Sequence, residues 1–344
     1  MLEVGSEETE QRLDRFLRRR YPHLTQGAIE KMCRKGDIRV EGAKCKSNTR
    51  VIEGQTVRMP PLPSHAHKQA PKAQISEADR RMMQSLVLYK DADIIVINKP
   101  HGLAVQGGSK TSKHIDGLAE ALCFDRENKP LLVHRLDRDT SGVLVMGRHP
   151  QAAARLAKLF QSKYIEKVYW ALVAGVPSRR EGRIRYGLVK ARHGEEGMGE
   201  KMHPIPPNEV DETRGAKHAT TDYMVMEVAG QRLCWMAMSP LTGRTHQLRA
   251  HSAALGHPII GDGKYGGSGV DNKGDGWGAG AGGEMSKNMH LHARMLRFEH
   301  PSTGKELTFK APLPKHMQQS WDLFGWKGIK EYDDMWDEAR SNMK

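Results

Sequence analysis

Apolar positions change their spacing along the chain, from helical repeats near the N-terminus to strand-like alternation beyond residue 85. Over 12–21, Leu13, Phe16, Leu17 and Tyr21 recur at helical intervals and predict an amphipathic helix. Thr25 is placed to cap a second helix, whose apolar face carries Ile29, Met32 and Cys33 and which Gly36 ends. The run 38–40, a Glu41-Gly42 turn and short segments around Val51 and Val57 predict a small sheet. These elements delimit a module at 12–59. Residues 60–81 are rich in Pro, Ala and charge and poor in large apolar groups, and read as a linker that is semi-extended where prolines cluster.

Strands follow at 87–89 and 94–97, bracketing Asp91 and Asp93, and again at 131–133 and 143–146. Residues 149–163 predict a helix with Ala153, Leu156, Leu159 and Phe160 inward, and 167–173 alternates as a strand. The stretch 190–216 is polar and reads as an exposed loop with basic groups at Lys190, Arg192 and Lys201. Thr245 is placed to cap a helix containing Leu248 and Leu255, with Gly256 at its stop and Pro258 beyond. From His290, two alternating strands flank a turn at 301–304, and the charged stretch after 328 predicts a short helix or a frayed tail. The pattern is α+β: a large domain at 82–328 built on a mixed or antiparallel sheet, a small α/β module before it, and a tail at 329–344.

Charge sharpens this division. Lys and Arg number 54 against 41 Asp and Glu, a net of +13, which favours a polyanionic partner. Residues 12–59 alone hold 13 basic and 5 acidic side chains, a net of +8. Arg15, Arg18, Arg19, Lys31, Arg34, Lys35, Lys44, Lys46 and Arg50 are the candidates for phosphate contacts, which add affinity without reading sequence. A merely solvated charged face is the plainer alternative. No apolar run reaches 18 residues, and the acidic, polar N-terminus does not read as a targeting peptide, so a cytoplasmic protein is expected. Cys33, Cys45, Cys123 and Cys234 form no C-x-x-C pair and read as free thiols.

The candidate chemistry centres on 131–148, LLVHRLDRDTSGVLVMGR, where two short apolar strands hold a polar turn. Asp137 and Asp139 lie two residues apart, beside Arg135 and Arg138. They fit either a charged turn whose carboxylates cap backbone N–H groups or a carboxylate aimed by rigid flanks. The residues alone do not choose between the two aspartates. Tyr169 by itself reads as a core aromatic with a hydrogen-bonded hydroxyl. Arg244, just before a helix start, makes an anion site. Gly261, Gly263 and Gly266 spell G-x-G-x-x-G, but no βαβ unit surrounds them and eleven glycines in 261–283 indicate a flexible insertion. His246, His251 and His257 lack metal-ligand spacing, so no metal is expected. Serine-hydrolase and P-loop motifs are absent from the chain.

HRLDRDTSG resembles the catalytic motif of the RluA-type family of RNA pseudouridine synthases. So do Asn98-Lys99-Pro100-His101-Gly102, the K-x-Y-x-A of 167–171, and GRTHQLRAH followed by GHPIIGD at 243–262. The likeness spans about 12–326, and the glycine-rich insertion departs from it. The resemblance implies the pseudouridine synthase fold and uridine isomerisation in RNA without cofactor or metal. It places the essential carboxylate at Asp137, as nucleophile or as stabiliser of charge at C1′. Tyr169 would stack on the base and assist proton transfer, and Arg244 would pair with Asp137. Lys99, Pro100, Gly102, His134, Thr140, Ser141, Gly142, Lys167, Gly243 and His246 would support the motifs, with Arg135, Arg138 and Arg249 contacting RNA. Residues 12–59 resemble the S4 RNA-binding domain, which points to 23S ribosomal RNA of the large subunit or its precursor, and a monomer is expected. Another RNA such as tRNA, a glycosylase using Asp137 and Asp139 as an acid/base pair, and a non-catalytic RNA-binding assembly factor are the alternatives.

Overall fold

The computed structural model describes the chain except residues 22–23, 62–74, 108–112, 163, 192–200, 267–284, 327–328 and 343–344. Most of the glycine-rich insertion and Arg192 therefore lie outside the described residues.

In the N-terminal unit, helices Leu13–Arg20 and Gln26–Lys35 accompany a four-stranded sheet ordered Leu2–Glu3, Thr56–Arg58, Arg39–Val40, Ala43–Lys44. Leu13, Phe16, Leu17, Ile29, Cys33, Ile38 and Val57 form its core, as the helical spacing requires. The Thr25 hydroxyl accepts the Ala28 N–H at 3.3 Å, and Gly36 closes the second helix at φ 83°. Two findings change the expected boundaries. Leu2–Glu3 pairs with the Thr56–Arg58 strand and Val4 is buried, so the unit starts ahead of residue 12. Within the expected linker 60–81, a helix already begins at Glu77 and runs to Ser85. The Ser76 hydroxyl caps it by accepting the Asp79 N–H at 3.1 Å, and fully buried Met83, beyond 81, is its anchor.

The large domain is built on an eleven-stranded sheet. Its order runs Met202–Ile205, Glu181–Lys190, Lys217–Ala229, Leu233–Pro240, Glu166–Ala174, Leu291–Glu299, Ser141–Gly147, Ile94–Lys99, Val87–Lys90. Glu306–Lys310 and Leu131–Leu132 pair beside this path. Among the described residues, the pairings between these strands are antiparallel except that of Ser141–Gly147 with Leu291–Glu299. The strand Met202–Ile205 and the buried Val210 replace part of the exposed loop expected at 190–216.

The expected tail is a helix, Ile329–Asn342, fixed to the sheet. Trp336 is buried with Trp170, Trp235, Trp321 and Trp326. Asp333 takes a two-pronged ion pair from buried Arg294, and Asp337 pairs with Arg297. Asp333 and Asp337 are therefore docking charges, whereas Glu331, Asp334 and Glu338 stay exposed. Its partners lie in a distant strand, which local spacing does not reveal.

Candidate active site

Asp137 sits on the loop between Leu131–Leu132 and Ser141–Gly147, where the sheet makes its one parallel junction. Gly142 crosses that junction at φ 112°, and a Cβ there would lie 2.2 Å from the Ala293 carbonyl oxygen, so only glycine fits. Ser141 Oγ meets His292 Nδ1 at 2.8 Å across the same pair of strands. The loop closes on itself through Thr140 N–H donating to the Asp137 carbonyl at 3.1 Å.

Two buried side chains fix the loop from beneath. The Lys99 ammonium is fully buried and donates to three carbonyls: Pro100 at 2.9 Å, Leu103 at 2.7 Å and Arg138 at 2.9 Å. It thereby ties the residue after Asp137 to the turn around Gly102, which also accepts from Arg138 Nε at 3.2 Å. Burial pushes the lysine down to about 7, partly offset by the charges of Asp139 and Asp137. His134 stacks on Phe160, with ring centroids 4.1 Å apart, and its Nε2 accepts the Val145 N–H at 3.0 Å. Burial pushes this imidazole to about 3, so it is neutral and its role is structural.

Above the loop opens a cavity of about 610 Å³, lined among others by Asp137, Lys167, Tyr169, Gly243, Arg244, His246 and Arg249. The Asp137 side chain is 28% exposed, toward the cavity. Tyr169 shares the wall, and burial together with the Asp137 charge raises its phenol well above the ordinary value. Its phenol is therefore protonated at neutral pH, and its ring stands where it can stack on a bound base.

The partner of Asp137 is not Arg244. Arg249 Nη1 lies 3.5 Å from Asp137 Oδ2, while Nε and Nη2 make a two-pronged pair with Asp262 at 2.7 and 2.6 Å. Arg249 is 5% exposed and lines the cavity instead of the outer surface. Arg244 is exposed at the cavity wall and its Nε donates to the His218 carbonyl at 3.2 Å. The reason lies in the helix start. The helix is Gln247–Ala254, and its cap position is His246, in the left-handed region at φ 52°, instead of Thr245. This sets Arg249 in the first turn facing Asp137 and leaves Arg244 on the preceding loop. That loop is held by Gln247, whose amide oxygen accepts from Thr242 Oγ1 at 2.7 Å and Arg244 N–H at 3.1 Å.

Asp262 and Tyr265 escape a reading by local pattern. Asp262 lies in GHPIIGD, thirteen residues after Arg249, and nothing in local spacing pairs them. Tyr265 lies between Gly263 and Gly266, inside the false nucleotide motif. Its hydroxyl accepts the Met202 N–H at 2.8 Å and meets His246 Nδ1 at 3.1 Å. A carboxylate does adjoin one of the three histidines, since His246 Nε2 is 3.9 Å from Asp137 Oδ2. His251 and His257 turn elsewhere, to Thr221 Oγ1 and the Ala174 carbonyl. Asp91, Asp93 and His300 also cluster, but Asp91 is engaged by Tyr89 and the backbone N–H groups of Asp93 and Ile94, a turn network.

The nine basic candidates of the N-terminal unit are all exposed, whereas Arg12 and Arg20 are committed to Asp14 and Glu8. Arg135 and Arg138 are exposed at the cavity mouth, Arg135 reaching Gln106 at 3.4 Å. Among the described residues no helix is long and apolar enough to cross a membrane.

Residues 93–254 match the family model for RNA pseudouridylate synthase. The chain is 33% identical over 312 residues to ribosomal large subunit pseudouridine synthase C of Rickettsia bellii, covering 90% of this chain and 96% of that protein. It is 36% identical over 321 residues to RNA pseudouridine synthase 4, mitochondrial, of Arabidopsis thaliana, covering 79% of this chain but 65% of that longer protein. Among solved structures, human RNA pseudouridylate synthase domain containing 4 aligns with a TM-score of 0.55 at 26% identity, covering 72% of this chain and 97% of that one. The chain belongs to the RNA pseudouridine synthase family, in its RluA branch.

Proposed function

We propose that the protein isomerises specific uridines of 23S ribosomal RNA to pseudouridine, with Asp137 acting at C1′. The observation that carries this reading is the Asp137 carboxylate presented to a cavity of nucleotide size, with Arg249 at 3.5 Å and Tyr169 on the adjoining wall. A uridine must leave its stack to enter, which costs a few kcal/mol and is offset by contacts at the basic surface. Inside, Asp137 attacks C1′ or stabilises positive charge there as the N1–C1′ bond breaks. Arg249 orients that carboxylate, and Tyr169 stacks on the uracil while it turns to present C5.

Arg244, Arg135 and Arg138 are exposed at the cavity and contact the RNA backbone. The N-terminal unit, read as an S4-like domain, supplies the sequence-independent part of the affinity. The ribosomal target is supported by relatives named as large-subunit synthases of the C type. The setting proposed is the cytoplasm, with the protein acting as a monomer. The test is tritium release from [5-³H]uridine-labelled 23S RNA, with mapping of the modified positions. The native protein releases tritium and Asp137→Asn does not; release at an undiminished rate by that variant removes Asp137 from its role.

A further inference from the structure

We propose that Lys167 is the group that carries the negative charge of the uracil when the N1–C1′ bond breaks, its ammonium donating to a carbonyl oxygen of the base. This inference rests on the uridine-isomerase reading and supplies what that reading leaves open, the group at the base end of the breaking bond. Whether Asp137 attacks C1′ or stabilises charge there, the N1–C1′ electron pair departs with the base. The detached uracil is an anion whose charge is shared by N1, O2 and O4, and it is neutralised when C5 bonds to C1′. No proton, oxidant or co-reactant enters this step. The two ends of the bond therefore call for opposite charges, a carboxylate at the sugar and a cation at the base.

The lysine and arginine side chains that line the cavity are Arg135, Arg138, Lys167, Arg244 and Arg249. Four of them already have acceptors. Arg249 is spent on Asp262 and Asp137, Arg244 on the His218 carbonyl, Arg138 on the Gly102 carbonyl and Arg135 on Gln106. Lys167 has no hydrogen bond and no ion pair from its ammonium among the described residues. Burial alone, with no carboxylate to offset it, holds its pKa below the ordinary lysine value. Its titratable neighbour His134 is neutral and accepts no proton from it, since Nε2 already takes the Val145 N–H.

The strand Glu166–Ala174 aims the ammonium. Val168 and Trp170 point into the tryptophan-rich core, so Lys167 and Tyr169 share the opposite face and both line the cavity. The irregular register beside Leu291–Glu299 skips Arg294 of that strand and leaves this alternation intact. Two strand steps put the Lys167 and Tyr169 backbones about 7 Å apart. A base stacked on the Tyr169 ring therefore brings its edge within reach of the lysine's long side chain. The fold gains nothing from a half-buried ammonium without an acceptor, which costs stability. The arriving base supplies that acceptor, and the attraction strengthens as the base becomes an anion, which places the stabilisation in the transition state.

The experiment uses the full chain, Lys167→Met, and RNA carrying either uridine or 5-fluorouridine at the target. Single-turnover loss of the parent nucleoside is followed by chromatography after nuclease digestion. With uridine the variant should be slower by about 10²-fold or more, with KM for RNA within a few-fold of native. Fluorine withdraws electrons and stabilises the detached base without help from the protein, so the deficit should shrink at least several-fold with 5-fluorouridine. An equal deficit on both substrates, or a rate within a few-fold of native, overturns the assignment. A raised KM with kcat kept and a shallower salt dependence of binding makes Lys167 a phosphate contact and also overturns it. Urea unfolding is read alongside: Lys167→Met should match or exceed the native midpoint, because an unpaired buried charge is gone. A midpoint well below native makes the lysine a packing residue and overturns the assignment as well. A native protein that releases no tritium from 5-tritiated uridine defeats the isomerase reading instead, which keeps the two failures apart.

Discussion

Replacing Lys99 by Met separates the stability of the domain from the aim of its carboxylate. The folded lysine sits at about 7 against an ordinary value of 10.5. Between those pH values the unfolded chain binds a proton that the folded chain sheds, so stability rises with pH across this window. A gap of roughly 3.5 at about 1.36 kcal/mol per pH unit makes the buried ammonium unfavourable by ~5 kcal/mol at or below neutrality. Met removes that penalty but leaves the carbonyls of Pro100, Leu103 and Arg138 without this donor, at about 1–3 kcal/mol each. The opposing terms are similar in size, so urea unfolding at pH 7 should show a small net change. Catalysis has no such compensation. Arg138 adjoins Asp137, and loosening the loop by a fraction of an ångström should lower kcat on the order of 10²-fold. The assay is urea unfolding at pH 7, 8 and 9, read as the difference in slope between native and Lys99→Met. Taking the difference cancels the buried thiols of Cys33 and Cys234, both pushed up to about 12, whose effect on stability runs the other way. The native slope should exceed the variant's by up to ~1.4 kcal/mol per pH unit. Equal slopes would refute the buried-lysine argument, and an undiminished kcat would refute its link to Asp137.

Asp262→Asn should destabilise the domain by about 3–5 kcal/mol in urea unfolding and also lower kcat, because it leaves buried Arg249 without its two-pronged partner; a loss under 1 kcal/mol would contradict this. Charge reversal at Lys31, Arg34 and Lys35 together should raise KM for RNA with kcat at saturation unchanged. The log–log salt dependence of binding should become shallower by roughly 0.7–0.9 for each phosphate that is no longer neutralised, and an unaltered salt slope would remove these three side chains from the RNA surface. Four buried imidazoles should make the fold acid-sensitive: His134 and His292 are pushed to about 3 and His251 and His290 to about 4. Their folded values lie below the ordinary 6.5, so the unfolded chain binds more protons as pH falls from about 6.5 toward 4 and stability drops there. His292→Gln should make the acid loss in urea midpoint shallower, and an unchanged profile would count against that histidine.

Much of the scaffold is legible locally because its elements obey simple periods. The Thr25 cap, the Gly36 stop and the inward face of Pro150–Gln161 follow from spacing within one or two turns. The Asp137 motif is legible as two strands around a charged turn, although choosing Asp137 over Asp139 needs the family resemblance. Arg249 is not legible as the partner, for two physical reasons. A left-handed His246 starts the helix one residue later than a Thr245 cap would, which changes which arginine faces the loop. The buried pair with Asp262 is a tertiary contact, so the charge that makes Arg249 tolerable in the interior is invisible from its own helix. The same holds for the C-terminal helix, where Asp333 and Asp337 look solvated until Arg294 and Arg297 are brought to them.

The division of Arg249 between two carboxylates bears directly on how Asp137 can act. An arginine paired only with Asp137 could close to hydrogen-bond distance on both oxygens and occupy the lone pairs that now face the cavity. Here Nε and Nη2 are spent on Asp262, at 2.7 and 2.6 Å, and only Nη1 approaches Asp137, at 3.5 Å. Asp262 also accepts the backbone N–H groups of Lys264 and Tyr265 at 3.0 and 3.3 Å, so the guanidinium is fixed from behind. A positive charge held in this way can orient the Asp137 carboxylate without capturing it. The chain Asp262–Arg249–Asp137, with Lys99 locking the loop from below, keeps the Asp137 carboxylate directed into the cavity yet free of a two-pronged pair.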